Sequence, residues 1–118
     1  MWLGKVEVAK TTETIPPKEG LDLDKLAKAV SIAETGGCTK GSAITHNNCF
    51  GIKRNNTCTV GMPRGSFVQF ESQEQSFECF KTIWAKWYKK FPDRALAQKW
   101  TGGDRADIWL NIVKEYYL

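Results

Sequence analysis

The sequence predicts one mainly helical (α+β) domain, in which a small loop or β lobe is inserted between the first and second long helices. The chain has 118 residues, of which 42% are hydrophobic, so it can bury one core but not two of ordinary size. Apolar residues recur at helical spacing after residues 22, 72 and 104. Residues 36–66, between the first two of these segments, are rich in Gly, Asn, Thr and Ser, which is typical of loops with short strands. Such a layout leaves a cleft between the two lobes.

Residues 1–20 are predicted to form an arm or linker that precedes a domain at residues 21–118. Residues 10–20 are polar and contain two prolines. The N-terminus lacks the apolar segment of a signal peptide, and no stretch of the sequence is apolar enough to span a bilayer. We therefore expect any secretion signal to lie outside this sequence, and the chain to be a monomer or part of a larger protein.

The first helix places a carboxylate where a hydrophobic residue is expected. Leu23, Leu26, Ala27 and Val30 form an apolar stripe, and a further step of four reaches Glu34. Gly36 and Gly37 follow as the predicted helix-ending residues. Burial and the negative end of the helix dipole both favour the protonated form of Glu34, and a neutral carboxyl group can protonate a leaving group. The alternative is that Glu34 extends into water from a frayed helix end.

The inserted segment is uniformly cationic. No Asp or Glu lies between Glu34 and Glu71, whereas four basic residues do: Lys40, Lys53, Arg54 and Arg64. The net charge of the chain is +4. An acidic polymer would be attracted to this region. His46, the single histidine, is predicted to be a loop residue.

Four cysteines, an even number in a small loop-rich chain, predict two disulfides and an extracytoplasmic location. Three pairings are possible. We favour Cys38 with Cys49, which would close the loop after Glu34, and Cys58 with Cys79, which would tie the central loops to a later helix. A zinc site is the competing interpretation, but the chain has no C-x-x-C pair and only one histidine.

The later elements follow from local signals. Residues 66–70 are predicted to form a short strand, and Ser72 with Gln75 resembles a capping box that opens the second long helix. Pro92 is expected to end that helix. Its predicted apolar stripe consists of Phe77, Phe80, Trp84, Trp87, Tyr88 and Phe91.

A short helix is predicted near residues 94–100, and Asp104 is the predicted N-cap of a final helix. The core face of this final helix is predicted to carry Ala106, Trp109, Leu110, Val113, Tyr116 and Tyr117.

Two short runs, Ala33-Glu34-Thr35-Gly36-Gly37-Cys38 and Asn47-Asn48-Cys49-Phe50-Gly51-Ile52-Lys53, resemble the lysozyme-like peptidoglycan-cleaving superfamily. The similarity is to bacterial glucosaminidases of the flagellar and autolysin type and, more loosely, to soluble lytic transglycosylases, and it covers roughly residues 22–118. The resemblance implies a lysozyme-like fold and no cofactor or metal. It implies that Glu34 is the general acid on β-1,4 bonds between N-acetylmuramic acid and N-acetylglucosamine. The implied substrate-binding residues are Asn48, Phe50, Gly51, Ile52, Lys53 and Phe70.

The sequence departs from these families at several positions. Thr35 replaces the usual Ser, which keeps a hydroxyl group, and Phe70 stands where Tyr is common. Residues 35–70 contain no second carboxylate, although glycoside hydrolysis usually employs two. Either Glu71 reaches the cleft, or Glu34 acts alone while the N-acetyl oxygen of the substrate stabilises the anomeric cation. We favour the second scheme.

These observations predict an enzyme that cuts peptidoglycan glycan strands, as a lytic transglycosylase or as a muramidase or glucosaminidase. A different class is a non-catalytic lysozyme-like module that binds the cell wall, and the missing second carboxylate is its main support. A nucleic-acid partner is disfavoured because the chain has no recognition motif and no dense Lys/Arg stripe.

Overall fold

A computed structural model describes residues 20–118. Except for Gly20, the predicted arm at residues 1–20 lies outside the described residues. The elements are α1 (Leu23–Thr35), α2 (Ser42–His46), β1 (Met62–Arg64), β2 (Phe67–Gln69), α3 (Gln73–Ile83), a π-helical turn (Trp84–Tyr88), α4 (Arg94–Thr101) and α5 (Ala106–Tyr117). The described part is mainly helical with a two-stranded sheet, which confirms the predicted fold class at this level.

Helix α1 lies at the centre of the helical lobe. It begins after Asp22, whose side chain accepts a hydrogen bond from the Lys25 N–H, and it ends at Gly36 in the left-handed conformation (φ 62°). Leu26, Ala27 and Val30 of its apolar stripe are buried. Helix α1 packs mainly against α5 and also contacts α3, and α4 packs on α5. The last turn of α1 is thereby held between the helical lobe and the inserted segment.

The inserted segment contains a short antiparallel hairpin and a one-turn helix, α2, that the sequence did not predict. In the hairpin Met62 pairs with Gln69 and Arg64 pairs with Phe67. The predicted strand at residues 66–70 is observed as Phe67–Gln69. Lys53 forms an isolated bridge with Phe67, so the segment after Cys49 runs alongside the hairpin.

The structure confirms both favoured cysteine pairings. Cys38 is bonded to Cys49, and Cys58 is bonded to Cys79. Two disulfides fit a protein of an oxidising, extracytoplasmic compartment. Residues 20–118 contain no group of three or more His, Cys, Asp or Glu side chains placed to hold a metal ion. Within the same residues, no helix combines the length and the apolar character needed to span a membrane.

The predicted capping box at the start of α3 forms, with one difference. Ser72 accepts from the Gln75 N–H at 3.2 Å, but the Gln75 side chain accepts from the N–H of Glu71, one residue before the cap. The start of the final helix was predicted wrongly. Its N-cap is Arg105, without a side-chain capping bond, so Asp104 lies one residue too early to cap.

Two aromatic residues predicted for the core are exposed instead. Trp87 is 61% exposed because the helix widens into a π turn after Ile83, which rotates the following residues away from the α-helical stripe. Lys89, in the left-handed conformation, ends this turn before Pro92. Tyr116 is 53% exposed because Tyr117 continues the buried stripe of α5, and its neighbour points elsewhere.

Candidate active site

Glu34 lines a cavity of about 340 Å³ between the helical lobe and the inserted segment. One wall comes from the ends of α1, α4 and α5, and the other from α2, the segment around residue 51 and β2. The side chains and backbone that line it belong to Ala33, Glu34, Thr35, Ser42, Thr45, His46, Phe50, Gly51, Lys53, Phe67, Trp100, Thr101, Arg105 and Trp109. Most of these residues are uncharged, and Glu34 is the single acidic one among them.

Two indole groups hold one oxygen of the Glu34 carboxyl group. Nε1 of Trp100 on α4 donates to Oε2 at 3.0 Å, and Nε1 of Trp109 on α5 donates to the same oxygen at 2.9 Å. An indole N–H can only donate, so Oε2 must act as the acceptor in both bonds. In the neutral acid the proton is therefore carried by the other oxygen, Oε1.

Oε1 lies on the side of the cavity that Gly51 lines. A Cβ atom at Gly51 would lie 3.9 Å from Oε1, and the φ of 65° at this residue is one that favours glycine. Within residues 20–118, Oε1 makes no hydrogen bond to another protein group. The carboxyl group is thus anchored through one oxygen and presents the other to the cavity.

The pKa of Glu34 is raised above the ordinary value for a glutamic acid. Burial is the largest cause, because it removes water from around the charged form. The hydrogen bonds from Trp109 and Trp100 and the positive charge of Arg105 act in the opposite direction and lower the pKa, but they do not cancel the effect of burial. The direction agrees with the one expected from the position of Glu34 in the sequence.

Thr35 fastens the end of α1 to the opposite wall. Its buried hydroxyl lies 2.8 Å from the Cys49 carbonyl oxygen and accepts a hydrogen bond from the Cys38 N–H at 3.1 Å. The Cys38–Cys49 disulfide spans the same gap. The residue next to Glu34 therefore sets the distance between the carboxyl group and the segment that follows Cys49.

Asn48 holds the backbone of the segment after Cys49 in place from its buried side and does not line the cavity. It is fully buried, and its Nδ2 donates to the carbonyl oxygens of Ile52 and Val68, each at 2.9 Å. Its Oδ1 accepts from the N–H groups of Phe50 at 3.3 Å and of Ile52 at 3.0 Å. Both donors and both acceptor positions of the amide are used. The prediction that Asn48 faces the substrate is therefore corrected: it holds the loop in shape.

Two other predicted substrate-binding residues are also placed elsewhere. Ile52 and Phe70 are 3% and 2% exposed, and neither lines the Glu34 cavity. Their side chains complete the core beneath the inserted segment, because alternate residues of an extended segment point to opposite sides. Phe50, Gly51 and Lys53 do line the cavity, so the structure brings half of the predicted set to Glu34.

Glu71 is not a second carboxylate of this cavity. It is exposed, its N–H donates to Gln75, and it borders a separate surface depression beside Met62. No other acidic residue among residues 20–118 lines the Glu34 cavity. The scheme in which Glu71 reaches the cleft is therefore wrong.

The cavity-lining residues that sequence reasoning did not place in the site include Trp100, Trp109, Arg105 and His46. Trp109 was predicted for the core face of the final helix, whereas Trp100 lies at the end of the short helix predicted near residues 94–100. A partial signal existed, because a buried indole N–H needs an acceptor and a buried carboxyl group needs donors. Periodicity alone could not show that these groups meet.

His46 was predicted to be a loop residue and instead lies at the end of α2 in the cavity wall. Its Nε2 lies 3.2 Å from the Arg64 carbonyl oxygen, and its Nδ1 lies 2.6 Å from the Thr45 hydroxyl oxygen. A carbonyl oxygen only accepts, so Nε2 carries a hydrogen in this contact. The ring meets that of Phe67 edge to face, with a centroid distance of 5.8 Å. Both ring nitrogens of His46 are thus engaged in the wall.

Comparisons with protein-family models, curated proteins and solved structures found no match to the chain. The chemistry of the cavity is accordingly the basis for a function. It combines one protonatable carboxyl group with apolar aromatic walls and the cations Lys53 and Arg105. Such a site can donate a proton to a bound, uncharged or anionic ligand.

Proposed function

We propose that the chain is a peptidoglycan-degrading glycosidase with a lysozyme-like arrangement of its lobes, acting outside the cytoplasm. Its substrate is the β-1,4 bond between N-acetylmuramic acid and N-acetylglucosamine, and Glu34 is its general acid. The observation that carries the proposal is the asymmetric anchoring of the Glu34 carboxyl group. Oε2 is occupied by two indole donors, while Oε1 faces a cavity large enough for a ligand.

In the first step Glu34 protonates the leaving group. The proton on Oε1 passes to the glycosidic oxygen as the bond between that oxygen and the anomeric carbon breaks. Burial favours the protonated form before the step. The two indole N–H groups stabilise the carboxylate that results, because hydrogen bonds to an ionised acceptor are stronger than those to a neutral one. The same contacts therefore hold the acid in position and stabilise its conjugate base.

The second step follows a single-carboxylate scheme, since no other carboxylate among residues 20–118 lines the cavity. The N-acetyl oxygen of the substrate stabilises the positive charge on the anomeric carbon. The Glu34 carboxylate then removes a proton from the attacking hydroxyl group and returns to its acid form. Attack by the muramoyl 6-hydroxyl gives a 1,6-anhydro product, as in a lytic transglycosylase. Attack by water gives a reducing end, as in a hydrolase.

The walls of the cavity support a sugar polymer that carries acidic groups. Phe67 and Trp100, which are partly exposed, supply aromatic surface, against which the apolar face of a sugar ring can pack. Lys53 and Arg105 make the surroundings of Glu34 positive, which favours an anionic ligand. The two disulfides support action in the cell wall or periplasm, where peptidoglycan is found.

A non-catalytic wall-binding module is the second candidate, because one specific observation favours it: residues 20–118 supply the cavity with one carboxylate rather than two. The placement of Glu34 argues against this candidate. A half-buried carboxyl group has a free-energy cost that a hydrophobic residue would avoid, and two tryptophan side chains are committed to satisfying it.

The test is mass spectrometry of the fragments released from purified peptidoglycan. We expect the wild-type chain to release glycan fragments and Glu34→Gln to release none, since the amide keeps the shape of the side chain and cannot donate an acidic proton. Glu71→Gln is the matched control, because it neutralises an exposed carboxylate outside the cavity, and it should retain activity.

The fragments also identify the reaction. Anhydro ends from the wild-type chain would identify a lytic transglycosylase, and reducing ends a hydrolase, with the reduced sugar showing which bond is cut. Equal release by the wild type and Glu34→Gln would refute the role of Glu34. Binding to peptidoglycan without release by any variant would favour the wall-binding module.

A further inference from the structure

A second groove adjoins the Glu34 cavity on the side of the π-helical turn. Its volume is about 330 Å³. Gly51, Lys53 and Trp100 line both spaces, so the two are neighbours on one surface. A ligand that occupies the Glu34 cavity can therefore extend into the groove.

One wall of the groove is aromatic and held in place. Trp87 and Tyr88 of the π-helical turn form it, and Trp87 is 61% exposed. The indole of Trp87 has a fixed orientation, because its Nε1 donates to the Thr57 hydroxyl at 2.9 Å. An exposed ring in a fixed orientation offers apolar contact to a ligand at a low cost in side-chain entropy.

The remaining walls carry positive charge. Lys53, Arg54 and Lys99 line the groove, and no acidic residue among residues 20–118 does so. Within the same part of the chain none of these three cations forms a salt bridge. The Nζ of Lys99 lies 5.8 Å from the centre of the Tyr88 ring, over the aromatic wall. The groove thus combines an apolar surface with cations that pair with no carboxylate of residues 20–118, which suits an anionic ligand.

We propose that this groove binds the acidic peptide stem attached to the muramic acid units of the glycan. The identity of the polymer rests on the proposed function above. A glycan without peptides presents a single carboxylate on every second sugar, whereas a stem concentrates carboxylates and apolar side chains close to its attachment point. The cluster formed by Lys53, Arg54 and Lys99 beside Trp87 matches the stem better than the bare glycan.

The test measures binding by calorimetry in the Glu34→Gln background, in which no cleavage occurs. Two soluble glycan oligomers of equal length are compared, one with its peptide stems and one stripped by an amidase. The added changes are Arg54→Gln with Lys99→Gln, which lie in the groove but do not line the Glu34 cavity. Lys28→Gln with Lys114→Gln is the charge-matched control, on exposed positions of α1 and α5.

We expect the groove changes to raise the Kd for the peptide-bearing oligomer by about three- to twentyfold at low salt and by less at high salt, as for exposed ion pairs. The Kd for the stripped oligomer and the Kd of the control variant should not change. Trp87→Ala should also weaken binding of the peptide-bearing oligomer, whereas Tyr116→Ala, which removes a similarly exposed ring from α5, should not.

Equal weakening for both oligomers would place the glycan backbone in the groove and overturn the proposal, and an unchanged Kd for the peptide-bearing oligomer would overturn it as well. Cleavage of the peptide-bearing oligomer by the chain with Glu34 intact is measured alongside. Normal cleavage with an unchanged Kd removes the groove proposal alone. Absence of cleavage with the expected pattern of Kd values removes the enzymatic proposal and leaves the groove as a stem-binding site.

Discussion

Replacing Trp109 by Phe should raise the pKa of Glu34 further. The substitution keeps an aromatic ring on α5 but removes the Nε1–H that donates to Oε2 at 2.9 Å. This hydrogen bond is the largest of the effects that lower the pKa of Glu34 against burial. Without it the carboxylate loses more stabilisation than the neutral acid, because the charged form is the better acceptor.

The size of the effect follows from the difference between the two kinds of hydrogen bond. A bond to a charged acceptor contributes about 1.5–3 kcal/mol and a bond between neutral groups about 1 kcal/mol, so the differential loss is about 0.5–2 kcal/mol. That corresponds to a change of about two- to thirtyfold in the ionisation equilibrium of Glu34 toward the neutral acid. If Glu34 is the general acid, the alkaline limb of the pH–activity profile should move to higher pH, while the maximal rate falls because the resulting carboxylate is less stable.

The assay is the ¹³C chemical shift of the Glu34 side-chain carboxyl carbon as a function of pH, assigned by its absence in Glu34→Gln. It reports ionisation directly and does not depend on substrate. The control is Trp84→Phe, which also removes a buried indole donor, but one that donates to the Lys90 carbonyl oxygen at 2.7 Å and not to Glu34. Both variants should lose stability, but only Trp109→Phe should change the titration of Glu34. An unchanged titration in Trp109→Phe, or an equal change in the two variants, would refute the role of the Trp109 indole in stabilising the Glu34 carboxylate.

Three further predictions concern stability. Burial raises the pKa of Glu34 above the ordinary 4.5, so its contribution to stability is complete below that value and is lost as the pH rises through the folded-state pKa. In urea unfolding, Glu34→Gln should therefore gain stability relative to the wild type as the pH rises above 4.5. The Cys58→Ala and Cys79→Ala double variant, which opens a disulfide with a sequence separation of 21, should lower the free energy of unfolding by about 3 kcal/mol. Asn48→Ala should lower it by about 2–4 kcal/mol, whereas Asn111→Ala on the exposed face of α5 should change it by less than about 0.5 kcal/mol.

Each of these predictions has a clear contrary result. A pH-independent difference between Glu34→Gln and the wild type would show that burial does not destabilise the charged carboxylate. An unchanged unfolding midpoint after loss of the Cys58–Cys79 bond would mean that the closed loop does not restrict the unfolded chain. Similar losses for Asn48→Ala and Asn111→Ala would contradict the structural role of the buried amide.

The helical framework could be predicted from the sequence because its signals are local. The apolar stripe of α1, the glycine that ends it and the cap at Ser72 each depend on a few neighbouring residues, and each is present in the structure. The wrong predictions occur where the helical spacing was continued through an irregular turn. A π turn has no simple sequence signature, so only the three-dimensional structure shows that Trp87 is exposed.

The candidate site could be predicted only in part, because it depends on contacts between residues distant in sequence. The position of Glu34 on α1 followed from helical spacing, but its partners Trp100 and Trp109 are 66 and 75 residues away. Asn48 illustrates a different error, because it was predicted to face the substrate and instead holds the loop in shape. A polar residue in a glycine-rich loop can face a ligand or satisfy the loop's own backbone, and its sequence neighbours are the same in both cases.

Three separate devices fix the wall that faces Glu34, and their convergence favours catalysis over simple binding. The Cys38–Cys49 disulfide, the Thr35 hydroxyl and the buried amide of Asn48 all act on the few residues that lead to Gly51. Any one of them would give the loop stability. All of them together restrict the separation between Gly51 and Oε1 of Glu34, on which proton transfer depends steeply, whereas adsorption to a polymer tolerates a looser wall. The carboxyl group is therefore positioned from two sides: the Trp100 and Trp109 indoles hold Oε2, and the fastened loop sets how far Gly51 lies from Oε1.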